Sequence, residues 1–185
     1  MNNDEVIGSV RLSFSVGLKP WNGEPSKYFI PAKGEIIAFL DVPDDTDSIE
    51  IAGRIEVIVI KFTEAFNDGM DMGDIFHEAG LGAVHASLFN RKGDFKKKLD
   101  TGLLPADIVF IDVVTLELKY QPTRLLLQCV ESLIPALSSM GLFVAHRATL
   151  DGGKKEWKQL AFDPVPGTDL VYRNDFDIDP RRKAY

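Results

Sequence analysis

Two histidines are the first residues in this 185-residue sequence whose type and spacing suggest chemistry. His77 and His85 lie eight residues apart, about two helical turns, so a helix would place them on one face. A metal-binding histidine pair on a helix needs a spacing of about four residues and a third ligand. Neither feature accompanies this pair. We therefore expect two ordinary histidines here and no metal cofactor.

The single cysteine, Cys129, is the second candidate. One cysteine can form neither an intramolecular disulfide nor a cluster of thiolate metal ligands. Cys129 follows Leu125 by four residues and precedes Leu133 by four, a spacing that places it on the apolar face of a helix. The spacing predicts a buried, unreactive thiol and not a nucleophile.

Charge and composition exclude several classes of function. The formal net charge of −7 argues against a general nucleic-acid or anionic-membrane binder. The densest basic run, at positions 96–98, is expected to be a solvated surface. Hydrophobic residues make up 45% of the sequence, yet no apolar run approaches the ~20 residues that span a bilayer. The acidic start of the sequence does not resemble a signal peptide, so a cytoplasmic protein is expected.

The length is typical of one domain, which we place at residues 1–175, with 176–185 as a mobile tail. Its first part predicts an antiparallel meander of three strands, at 10–16, 35–42 and 49–62. Gly53 predicts a bulge in the third strand. The loop before the second strand carries Trp21, either as a ligand contact or folded over the sheet edge.

The middle of the chain predicts one helix between two irregular segments. Residues 64–73 form a polar link, and Asp74 has the position of an N-cap for a helix that runs to Phe89. Gly80 lies inside that helix and weakens it by about 1 kcal/mol relative to alanine. Residues 90–105 are expected to form a loop with one helical turn.

Residues 107–172 predict the unit around which the domain is organised. An apolar strand at 108–116 is followed by a turn, a helix at 124–139 and a second strand from Gly141. This order makes a βαβ unit with parallel strands and a right-handed crossover. A short helix at 154–160 and two extended pieces around a Pro166-Gly167 turn complete it.

This stretch, a little over a third of the chain, resembles the GNAT acyltransferase superfamily. The strand ending in Leu118-Lys119-Tyr120-Gln121 is similar to the family's fourth strand and its turn into the pyrophosphate-binding helix. Trp157 to Phe162, leading into residues 164–171, is similar to the family's tyrosine-bearing helix, its Gly-Phe pair and its final hairpin. The resemblance implies an α/β (α+β) fold with a mixed, centrally splayed sheet flanked by helices, and acetyl-CoA as a cofactor in the splay.

The resemblance also implies which residues would contact that cofactor: Leu116, Leu118, Gln121, Thr123, Arg124 and Trp157. The family's turn reads Arg/Gln-x-x-Gly-x-Gly/Ala, and its glycines let phosphate approach the backbone at a helix N-terminus. Gln121 matches the first position, whereas Arg124 and Leu126 replace the two small residues and obstruct the usual phosphate position. Arg124 could bind phosphate through its guanidinium group, or simply lie exposed in the first helical turn.

Acid catalysis is the second point of departure. The family often uses a tyrosine, five residues before the phenylalanine of Gly-Phe, to protonate the leaving thiolate. Trp157 takes that position and has no hydroxyl to donate, and Ala161 replaces the glycine. Asp112 is the best remaining base, or an outward-facing strand residue, and Glu117 is a second candidate base.

Two hypotheses follow with similar weight. In the first, a GNAT-fold protein has reduced or lost acyl-CoA chemistry and acts by binding another protein, a homodimer included. In the second, it is an active acetyl-CoA-dependent N-acetyltransferase with an atypical cofactor turn, since some enzymes of this family work by positioning alone. A small α/β binding domain unrelated to GNAT is the third hypothesis, because fold analogy does not establish function.

Overall fold

A computed structural model describes residues 6–16, 25–41, 48–99, 103–120, 125–138, 140–150 and 154–175. Trp21, Gln121, Thr123, Arg124 and the tail at 176–185 lie outside these ranges. Within them, the chain forms a seven-stranded mixed sheet with helices on both faces. This is the mixed α/β (α+β) architecture that the sequence predicts.

The strands lie in the order β1-β2-β3-β4-β5-β7-β6 across the sheet. Their bounds are β1 Val6–Val16, β2 Phe29–Asp41, β3 Ser48–Ile60, β4 Asp107–Leu116, β5 Gly141–His146, β6 Asp163–Pro164 and β7 Leu170–Asn174. Neighbouring strands are antiparallel except β4 and β5, which are parallel and are connected by the helix Leu125–Leu137. The predicted meander and the predicted βαβ unit are both confirmed.

The helices form one layer on each face of the sheet. Their bounds are α1 Phe62–Asn67, α2 Met72–Glu78, α3 Gly82–Leu88, α4 Leu125–Leu137 and α5 Lys154–Gln159. One apolar core lies between the sheet and the α4 and α5 layer, and it includes Cys129 and Trp157. A second core lies between the opposite face and α1–α3, and it includes Phe76 and Phe110.

The predicted bulge in β3 is present, and Gly53 has a further reason to be glycine. The β2 and β3 register shifts between the pairs Ile36–Gly53 and Ile37–Ile51, so that Ala52 is the extra residue. A Cβ atom on Gly53 would lie 2.1 Å from the Thr115 carbonyl oxygen of β4. The bulge therefore occurs where two strand backbones approach too closely for any side chain.

Three predicted boundaries were wrong. Residues 64–73 are not a polar link, because α1 occupies their first part and buries Ala65. The helix from Asp74 to Phe89 is two helices, α2 and α3, separated at Gly80, whose φ of +76° cannot continue a right-handed helix. Its N-cap is Asp71, whose carboxylate accepts hydrogen bonds from the Gly73 and Asp74 amides.

The second strand also begins earlier than its hydrophobic pattern predicts. β2 starts at Phe29 and contains Pro31, which has no N–H to donate. The described part of β1 pairs with β2 as far as Ala32, so among the described residues Pro31 is paired with β3 only. A proline is tolerated at such an edge position.

Cys129 is buried, as its helical spacing predicts, and burial raises the pKa of its thiol to about 11. Among the described residues, no helix has the length and apolar character that crossing a membrane requires.

Candidate functional site

The hydrogen-bonded pairing of the two central strands, β4 and β5, ends half-way along β4; we call this point the parting. β4 pairs with β5 only from Asp107–Gly141 to Ile111–Ala145. β5 then ends at His146 and turns into a 3₁₀ helix, Arg147–Thr149, while β4 continues to Leu116 paired with β3 alone. The sheet thus has the central splay that the sequence resemblance implies, and it begins after Ile111.

A β-bulge lies at the point where the strands part. The β3 and β4 register changes between the pairs Glu56–Val113 and Val57–Ile111, so Asp112 has no partner on β3. Its carbonyl oxygen accepts a 3.4 Å hydrogen bond from the Thr149 hydroxyl, and its side chain is exposed. Bulges redirect side chains and are frequent beside active sites. Asp112 therefore lies where β4 and β5 stop pairing, and it stays a candidate base.

A histidine–aspartate pair lies at the same point, and sequence reasoning did not find it. The next residues after the last β4–β5 pair are Asp112 on β4 and His146 on β5. His146 Nδ1 lies 2.8 Å from Asp169 Oδ2. The ring also contacts Phe110 edge-on at 5.5 Å, while its side chain keeps 42% of its surface exposed. The Asp169 side chain is 75% exposed. A packed yet accessible imidazole with a carboxylate partner has the arrangement of an oriented base.

The antiparallel pairing of β5 and β7 positions this pair. His146 pairs with Leu170, which places Asp169 beside the end of β5. The Asp169 carbonyl oxygen accepts a 2.8 Å hydrogen bond from the Arg147 amide. The preceding turn is closed by the Thr168 hydroxyl, which donates to the Val165 carbonyl oxygen at 3.0 Å. Both members are therefore held by backbone structure.

The protonation pattern of the imidazole follows from its partner. A carboxylate only accepts hydrogen bonds, so in neutral His146 the proton is on Nδ1, which donates a hydrogen bond to Asp169 Oδ2. This leaves the lone pair on Nε2, the nitrogen that can accept a proton from a substrate. The same division of roles operates wherever a carboxylate orients a catalytic histidine.

Trp157 is buried beside the parting and does not line an open cleft. It is 1% exposed, and its indole N–H donates to the Arg147 carbonyl oxygen at 3.0 Å. Its ring lies 4.7 Å from that of Phe162, centroid to centroid. Trp157, which the resemblance aligns with the family's proton donor, thus connects α5 to the end of β5 by a hydrogen bond.

The last turn of α5 is followed by a residue with a left-handed backbone. Ala161 has a φ of 59° and is the one described residue other than glycine with positive φ. The Phe162 amide bonds to the Trp157 carbonyl oxygen and the Ala161 amide to that of Lys158. This is the Schellman ending, in which a glycine normally takes the left-handed position. The backbone at Ala161 is therefore one that glycine adopts more readily than alanine.

The other predicted site residues are distributed around β4. Glu117 follows the strand, and its amide donates to the Ala52 carbonyl oxygen at 2.8 Å, with its side chain exposed. Leu116 is half-buried at the strand end, and Leu118 is 81% exposed. Gln121, Thr123 and Arg124 lie outside the described residues.

Two buried polar atoms near the parting have no hydrogen-bond partner among the described residues. They are Nε of Arg147, directly after β5, and Oε2 of Glu156, the neighbour of Trp157 on α5. An unpaired buried donor is costly, typically about 1–3 kcal/mol, unless something else binds it. The Arg147 guanidinium is therefore a candidate contact for an oxygen of a bound molecule.

Comparison of this chain with protein-family models, with curated proteins and with solved structures found no match. Function is therefore inferred from the geometry of the described residues.

Proposed function

We propose that this protein is an acyl-CoA-dependent N-acyltransferase of GNAT type, with His146 as the general base. The observation that carries the proposal is the His146–Asp169 pair at the point where β4 and β5 part. The splay and the left-handed backbone at Ala161 support the family resemblance independently of any side chain in the cofactor turn.

Among the residues at the parting, Arg147 offers a hydrogen-bond donor that an oxygen of an acyl-CoA molecule could accept from. Arg147 presents a buried N–H donor that no described residue satisfies, and carbonyl and phosphate oxygens are natural acceptors for it. Bound acyl-CoA supplies an acyl group already activated as a thioester. Arg147, Leu116 and the bulge at Asp112 are the described residues that would hold it.

The chain's own residues would act on the amine that receives the acyl group. The amine attacks in its neutral form, after an ammonium has given its extra proton to solvent. As the N–C bond forms, His146 Nε2 would take the proton that the nitrogen loses, and Asp169 would hold the ring and stabilise the resulting imidazolium. The C–S bond breaks and coenzyme A leaves as a thiolate that is protonated from solvent, to which the imidazolium returns its proton. Asp112, next to His146 in strand register, would attract a protonated amine. Trp157 donates no proton, so the proposed mechanism has a base but no dedicated acid.

Acetyl-CoA calorimetry combined with steady-state acyl transfer to a panel of primary amines tests the proposal. His146→Asn keeps an N–H for Asp169 but removes the base, so turnover should fall by ~10²–10⁴-fold with acetyl-CoA affinity unchanged. Asp169→Asn should also lower turnover, whereas Asp163→Asn, which removes an exposed carboxylate on β6, should not. Neither binding nor transfer at millimolar acetyl-CoA would reject the proposal. Full turnover in His146→Asn with a loss in Asp112→Asn would transfer the base role to Asp112.

A second candidate function, protein binding with acyl transfer lost, is favoured by a different surface. Ile49, Ile51 and Leu118, the β3 apolar patch, are 61%, 54% and 81% exposed. Ile49 and Ile51 share one face of β3, because side chains alternate along a strand, and the bond from the Glu117 amide to the Ala52 carbonyl oxygen brings the backbone before Leu118 next to β3. Clustered exposed apolar side chains mark interaction sites.

Sedimentation velocity over a range of concentrations tests this candidate for a homodimer. The wild type should self-associate, Ile49→Ser/Leu118→Ser should be monomeric, and Met140→Ser, which removes an apolar side chain 48% exposed elsewhere, should behave as the wild type. A monomeric wild type, together with no stoichiometric partner in pull-downs from the native host, would reject protein binding.

A further inference from the structure

A cavity lies on the other side of the sheet from α4, among α1, α3 and the loop after α3. Its volume is about 600 Å³, within the range of small-molecule sites. Phe66, Met70, Met72 and Phe89 provide apolar lining. Phe66 is 56% exposed, an unusual cost for a phenylalanine unless something covers it.

Two cations lie on a closed loop at the edge of this cavity. The Asn90 side-chain oxygen accepts hydrogen bonds from the Lys92 amide at 2.7 Å and the Asp94 amide at 3.2 Å. Gly93 closes the loop with a φ of +85°. Arg91 and Lys92 line the cavity from this loop, and neither forms an ion pair with any described residue. In a chain of net charge −7, two adjacent unpaired cations on a rigid loop favour an external anion.

His85 supplies a flat polar surface in the same cavity. Its ring stacks on Phe89 with centroids 4.8 Å apart and an interplanar angle of 24°. Burial lowers the pKa of His85, and the carboxylate of Asp71 opposes that shift only in part. Near neutral pH the ring is therefore uncharged and suited to stacking on a planar ligand.

Among the described residues that line the cavity, the carboxylate is that of Asp71, and it does not cancel the two cations. Asp71 is engaged by the start of α2, where its Oδ1 accepts from the Gly73 amide at 2.6 Å and the Asp74 amide at 3.2 Å. Its charge is thus partly compensated by backbone donors.

We propose that this cavity binds a small anion with a flat apolar body, such as an aromatic carboxylate or phosphate. The planar part lies against Phe66, His85 and Phe89, and the anionic group lies at Arg91 and Lys92. The proposal does not depend on acyl transfer, because no residue of the His146 site lines this cavity.

Titration with 2-naphthoate, followed by calorimetry and by the imidazole NMR signals of His85, tests the proposal. Naphthalene-2-methanol serves as the uncharged probe and should bind at least about tenfold more weakly. Arg91→Gln/Lys92→Gln should weaken naphthoate binding by about tenfold or more. The matched variant Lys97→Gln/Lys98→Gln, which removes two exposed lysines outside the cavity, should not. Bound naphthoate should raise the pKa of His85, because a nearby anion favours imidazolium.

The proposed site would be overturned by the absence of naphthoate binding up to about 10 mM, or by equal affinities for naphthoate and the alcohol. An equal loss of naphthoate affinity in the two double variants would also overturn it. Binding that persists unchanged in Phe66→Ser would place the aromatic body elsewhere and would also overturn it. Acyl transfer measured on the same variants separates the two proposals, since loss of this site should leave turnover by His146 unchanged.

Discussion

Replacing Ala161 by glycine should stabilise the protein, although the change removes a methyl group. The Ala161 backbone is left-handed, with a φ of 59°, and an L-residue there costs roughly 1–2 kcal/mol. Glycine removes that strain but gives the unfolded chain more freedom, which costs about 0.5–1 kcal/mol. The Ala161 side chain is exposed, so no buried area is lost. The net gain in unfolding free energy should be about 0.5–1 kcal/mol.

Urea denaturation of Ala161→Gly and two matched variants measures this gain. Gly167 has a φ of +74° and open space where a Cβ atom would lie, so Gly167→Ala imposes the same strain and should lose about 1 kcal/mol. Ala83→Gly, in helix α3, should also lose about 0.5–1 kcal/mol because its backbone is right-handed. If Ala161→Gly is neutral or destabilising while Gly167→Ala is destabilising, the backbone at Ala161 is not strained. That result would also remove the argument that Ala161 takes the place of a glycine.

Two further changes test the fold. Gly53→Ala forces a Cβ atom against the Thr115 carbonyl oxygen and should lower the free energy of unfolding, measured by urea denaturation, by about 1–3 kcal/mol. A decrease below about 0.5 kcal/mol would contradict the close approach of the two backbones. The pKa of Asp68 is lowered first by the hydrogen bond from the Tyr28 hydroxyl, 2.6 Å away, and secondly by Lys27. The hydrogen bond between Tyr28 and Asp68 therefore stabilises the fold above pH ~4, and this stabilisation is lost as the pH falls through the folded-state pKa. Tyr28→Phe should therefore be less stable than the wild type at pH 7, and a difference that stays constant down to pH 3 would disprove the linkage.

The parts of the fold that the sequence predicted are those with long hydrophobic periodicity. β4 and α4 each repeat apolar residues over ten or more positions, and their bounds differ from prediction by one or two residues. α1 has six residues and no side-chain N-cap at Lys61, so it is too short for periodicity to reveal. The break between α2 and α3 depends on the φ of Gly80, a property that composition does not encode.

Of the candidate acid–base residues at the parting, only Asp112 was named from the sequence, as an acidic residue on the strand predicted at 108–116. His146 and Asp169 are 23 residues apart and meet only because β7 returns antiparallel to β5 with His146 opposite Leu170. A register error of one residue would direct each side chain to the opposite face of the sheet and would separate the pair. The strongest candidate for a catalytic feature in this chain is therefore a property of strand pairing, and testing His146 and Asp169 together tests that register as well as the proposed chemistry.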